Sequence, residues 1–80
     1  MSLAKRWRDL DRSTVASAPR RHALYELGDN DGETVGFGTG ILRDELKEVL
    51  AYGDADKVRW KLADSDEHAE RLLAEHVEEE

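Results

Sequence analysis

The 80-residue sequence predicts an α+β domain, with a small, largely antiparallel three-stranded sheet flanked by helices. Three observations predict it. Two strand-like stretches flank the turn-forming run Gly28–Gly32, Lys57–Leu62 alternates strictly between apolar and basic residues, and residues 40–51 and 65–77 carry apolar side chains at helical spacing. The predicted order is a β-β-α-β-α core over residues 22–77, preceded by an N-terminal basic helix or arm and connector over residues 1–21.

Each element has its own warrant. Leu3, Trp7 and Leu10 fall on one helical stripe, and Ser13–Pro19 is a small, polar connector closed by the sole proline. His22–Leu27 is rich in apolar and aromatic residues and reads as a strand. Gly28-Asp29-Asn30-Asp31-Gly32 is turn chemistry, and Glu33–Phe37 returns as the second strand of a hairpin. Leu42, Leu46, Val49 and Leu50 then share a helical face, and Gly53 supplies the stop. In Lys57–Leu62, Val58, Trp60 and Leu62 face one way and Lys57, Arg59 and Lys61 the other. Asp64 or Ser65 caps the last helix, where Ala69, Leu72, Leu73 and either His76 or Val77 share a face.

Composition narrows the function classes. A chain this short buries only about 60% of its unfolded surface, so the core is thin. With no cysteine, disulfides and thiolate metal sites are excluded. No apolar run approaches the ~20 residues that span a bilayer, and the N-terminus lacks a signal-type apolar segment, so the expectation is a cytoplasmic protein without a membrane role. The net charge of −7 is uneven: residues 1–22 carry six bases against two acids, whereas eight acids and a single base, Arg71, follow residue 63. Nine Asp, eight Arg against four Lys, and abundant Ala resemble the bias of proteins from salt-loving archaea.

The glycines do not make a nucleotide loop. Gly36, Gly38 and Gly40 are spaced G-x-G-x-G, not the dinucleotide fingerprint, and no Gly-Lys-Ser/Thr ending follows. They are read as freedom for the backbone to turn between strand and helix and for the helix to approach the sheet.

At the level of motifs, the chain resembles a GIY-YIG nuclease domain. The likeness rests on Ala23-Leu24-Tyr25, a turn-bearing hairpin, Gly36-Phe37-Gly38, then Thr39 and a helix with Leu42. Val58-Arg59-Trp60 running into Asp64–Leu73, with Ala69 where that family often has alanine, extends it over residues 22–76. The resemblance implies a site made from a tyrosine of each motif, an arginine on the next helix and a metal-binding glutamate on a later one. Tyr25 matches the first tyrosine, but Gly36, Glu45 and Leu73 occupy the other three positions. Leu73 gives a hard divalent cation no oxygen donor, Glu45 reverses the charge needed at the transition state, and Gly36 has no hydroxyl. Arg43, two positions before Glu45, is rotated by about 200° from it. The expectation is therefore a non-catalytic domain that uses no metal and no cofactor.

The remaining candidates are read conservatively. His68 and His76 are two helical turns apart, too far to share one ion, and are read as solvated or half-buried. Trp60 belongs to the core by its alternation, and Trp7 is read as the anchor that docks the N-terminal segment. Two binding functions are carried forward. The first is a module with weak, non-specific nucleic-acid affinity, with Arg43, Lys57, Arg59, Lys61, Arg20 and Arg21 touching phosphates. The alternative is a protein–protein interaction or self-association domain, and a residual metal-dependent nuclease stands third. Basic residues gathered on one face favour the first; an apolar patch around Trp7 or Gly36–Gly40 favours the second.

Overall fold

A computed structural model describes residues 6–78. Its elements are β1 (Arg8–Asp9), α1 (Arg12–Ser17), β2 (His22–Gly28), β3 (Thr34–Ile41), α2 (Leu42–Tyr52), β4 (Lys57–Leu62) and α3 (Asp66–Glu78). The strands form one antiparallel sheet in the order β1-β4-β2-β3. The fold is α+β, with four strands rather than three, because the N-terminal segment adds a two-residue edge strand.

Alternation along β2 divides the core. Ala23 and Tyr25 face α1 and α2 and pack with Leu10, Val15, Ala18, Leu42, Leu46 and Val58. Leu24 faces α3 and packs with Ala63, Ala69 and Leu72. The sheet is thus covered on both faces, and β2 and β4 are its interior strands. Trp60 and Leu62 are partly buried against the first cluster, in line with their alternation with Val58.

The N-terminal reading needs correction. Arg8 and Asp9 pair with Val58 and Lys57 as a strand, so the helical stripe does not form there; Leu3 lies outside the described residues. The connector is itself a helix over Arg12–Ser17, capped by Asp11, whose Oδ1 accepts the Thr14 amide at 2.8 Å. That bond holds the Asp11 carboxyl below its ordinary value of 3.8. Because Leu10, Val15 and Ala18 enter the same cluster as Tyr25, residues 10–18 belong to the one core.

The second strand, expected over Glu33–Phe37, runs on through Gly38 and Gly40 to Ile41. Gly36, Gly38 and Gly40 all lie within β3, opposite Leu27, Tyr25 and Ala23. Only Gly40, with φ of +151°, needs the freedom glycine gives, and Gly32 at +81° does the same in the preceding turn. There Asp29 Oδ1 accepts the amides of Asp31 and Glu33 at 2.9 and 3.0 Å. In α2, Leu42 and Leu46 are buried and Val49 partly so, whereas Leu50 turns out toward solvent. The α3 start follows its capping signal: Ser65 Oγ accepts the His68 amide at 3.1 Å, and His68 Nδ1 accepts the Asp64 amide at 2.9 Å. The Val77 side chain lies outside the described residues.

Candidate functional site

The period-two glycines clear one face of β3, and two polar groups fill the space. Tyr25, on the neighbouring strand, lies over Gly38, where a Cβ would come 2.7 Å from the phenol oxygen. Glu45, from the first turns of α2, lies over Gly40, where a Cβ would meet its Cγ at 2.7 Å. The Tyr25 hydroxyl donates to Glu45 Oε1 at 3.3 Å. Burial first, then the charge and hydrogen bond of Glu45 and the charge of Glu48, push the phenol up from 10.0 to about 12. Tyr25 is therefore a neutral donor held against a carboxylate.

The opposite face carries a buried ionic cluster. Glu26 is fully buried at the centre of β2, with Arg59 of β4 and Phe37 of β3 as its cross-strand neighbours. Its carboxylate forms an ion pair with Arg59, and Oε2 lies 3.2 Å from His76 Nε2 of α3. His76 is 5% exposed and meets the Phe37 ring edge-on at 4.9 Å. The Arg59 guanidinium stacks 3.9 Å from the Trp7 ring, which rests on Gly28 so closely that a Cβ there would be 2.8 Å from the indole. The Glu26 carboxylate thus joins β2 to β4 and α3, and Arg59 carries the link on to Trp7 in the N-terminal segment. Trp7 docks as expected; His76 is buried rather than solvated or half-buried.

A third feature lies where β1 meets β4. A cleft of about 110 Å³ is lined by Arg6, Arg8, Arg59 and Trp60. The Arg8 guanidinium lies over the Trp60 ring, 4.7 Å from its centre.

The residues expected to touch phosphate are dispersed. Arg59 is not on an open face: its side chain is 12% exposed and committed to Glu26. Lys57 pairs with Asp9, Arg43 Nε donates to the Ala18 carbonyl at 2.8 Å, and Arg21 lies 4.0 Å from Asp64. Arg20 and Lys61 are exposed. Of the positions named by the nuclease resemblance, Tyr25, Gly36 and Glu45 share the α2 face, whereas Leu73 packs beside Leu24 on the other. Among the described residues no group of three or more His, Asp or Glu side chains could hold a metal ion, and no helix is long and apolar enough to cross a membrane.

The sheet edges differ sharply. β1 is two charged residues long, while β3 runs eight residues, Thr-Val-Gly-Phe-Gly-Thr-Gly-Ile, without a charge or a proline. Val35 is 59% and Phe37 38% exposed on it.

The family model for a domain of unknown function, DUF7508, matches residues 1–79, and the chain belongs to that family. No curated protein and no solved structure matches the chain.

Proposed function

We propose that this member of a family of unknown function is a non-catalytic interaction module, GIY-YIG-like in architecture, that self-associates through the edge of β3. One observation carries the reading. In a chain with 12 basic and 19 acidic residues, the longest strand has none of either and lies at the sheet edge. Proteins normally blunt such edges by shortness, charge or proline, and β1 at the other edge is short and charged. An uncharged edge is self-complementary. A second copy related by a two-fold axis normal to the sheet would pair antiparallel, forming on the order of one inter-strand hydrogen bond per paired residue. Val35 and Phe37 would then lose their exposure to water.

Sedimentation of the wild type and Val35→Lys tests this. The expected result is a dimer in molar KCl, where repulsion between acidic copies is screened, and a folded monomer for Val35→Lys. A wild type that stays monomeric at several hundred micromolar overturns the proposal.

A weak nucleic-acid module is the second reading, supported by the arginines at the β1–β4 junction and by exposed Arg20 and Lys61. Against it stands the net charge of −7, which opposes a polyanion.

A further inference from the structure

We infer that the cleft at the β1–β4 junction is a binding site for a small organic phosphate monoester. The argument begins with how the guanidiniums are held. Arg8 lies over Trp60 and Arg59 over Trp7, so each guanidinium rests against an indole; the donors of Arg59 are taken by Glu26, which leaves Arg8 and Arg6 to offer theirs to the cleft. Guanidiniums held in this way lose less freedom on meeting an oxyanion than long side chains in water do.

Charge selects the ligand. Arg59 is matched by Glu26, and Asp9, the carboxylate next to Arg8 in the chain, is paired with Lys57. Arg6 and Arg8 therefore contribute two positive charges to the cleft. A phosphate monoester carries about −1.5 to −2 at neutral pH, which matches that pair. A diester group carries a single charge, and a strand of diesters meets the repulsion of the whole chain. Trp60 is half-buried and carries Arg8 over its ring, so the part of the indole left in the lining gives the organic portion a limited apolar contact.

Calorimetric titration in low salt with adenosine monophosphate, inorganic phosphate and a thymidine oligonucleotide without terminal phosphates tests the site. Adenosine monophosphate should bind, more tightly than inorganic phosphate because of the Trp60 contact. Arg6→Ala and Arg8→Ala should each weaken it by about tenfold or more, the loss of a charge-assisted hydrogen bond. Arg8→Lys keeps the charge but not the fork, and should restore only part of the affinity. Val35→Lys, at the far edge of the sheet, should leave binding unchanged, which separates this site from the self-association reading. Both arginines are exposed, so the variants should stay folded by circular dichroism, Arg8→Ala losing only its contact with Trp60. The inference is overturned if the monophosphate does not bind, if the Arg6→Ala/Arg8→Ala double variant binds it as well as the wild type, or if the oligonucleotide binds more tightly.

Discussion

Replacing Glu26 by alanine is the sharpest test of how this small core is held. The substitution leaves the Arg59 guanidinium, 12% exposed, without its carboxylate, and removes the group that faces His76. Breaking a buried ion pair from one side costs about 3–5 kcal/mol. The stacking of Arg59 on Trp7 survives and some water reaches the guanidinium, so the lower end, about 3 kcal/mol, is expected. An 80-residue domain has roughly 4–12 kcal/mol in total, so the loss is a large fraction of it. For a domain of this size that corresponds to a fall in Tm of roughly 12–24 °C. Urea unfolding followed by circular dichroism gives the free energy directly, and Arg59→Ala with the Glu26→Ala/Arg59→Ala double variant closes a cycle. The double variant should be less destabilised than the sum of the singles. A Glu26→Ala loss below about 1 kcal/mol, the range of an exposed pair, or strict additivity in the cycle, would refute a coupled buried pair.

Two further outcomes follow from the polar groups elsewhere. Because the Tyr25 phenol is raised from 10.0 to about 12 in the fold, its contribution to stability is complete below pH 10 and is lost as pH rises from about 10 through 12; ultraviolet titration of phenolate should show the late group disappear in Tyr25→Phe and move downward in Glu45→Gln. Stability should rise with salt, because Asp64, Asp66, Glu67, Glu70 and Glu75 are exposed on or beside one helix and the screening length falls from about 10 Å at 0.1 M to about 3 Å at 1 M; thermal melts in low and molar KCl check this, and a flat or falling midpoint counts against it.

Much of the fold could be read in the sequence where pattern and burial agree. Lys57–Leu62 is a strand with the predicted bounds, and α2 and α3 lie within two residues of their expected starts and ends. The misreadings have identifiable causes. Leu3, Trp7 and Leu10 match a helical period, but the strand register that sets Arg8 opposite Val58, and the seat of Trp7 on Gly28, outweigh so short a stripe. Gly38 and Gly40 read as a turn by residue type, although with Gly36 their spacing of two is a strand period; what they make room for, Tyr25 and Glu45, comes from other elements.

The polar cluster was half legible. Glu26 is the sole charge in the strand His22–Gly28, a sign that it would need a buried partner. That the partner is Arg59 depends on the β2–β4 register, and that His76 joins depends on where α3 docks. Neither is local information. The same register withdrew Arg59 from the expected phosphate-binding face.

The cleared face of β3 also constrains how the sequence can change. A side chain at position 38 meets the present tyrosine at 25, and one at position 40 meets the present glutamate at 45. Volume at each of these places is therefore a shared quantity. A side chain added at 38 must displace the ring at 25 or follow its shrinking, and one added at 40 must move the Glu45 side chain aside and take the backbone away from its present φ. Substitutions here should travel as pairs, and an aligned set of relatives should show bulk exchanged between 25 and 38 rather than varying independently at each.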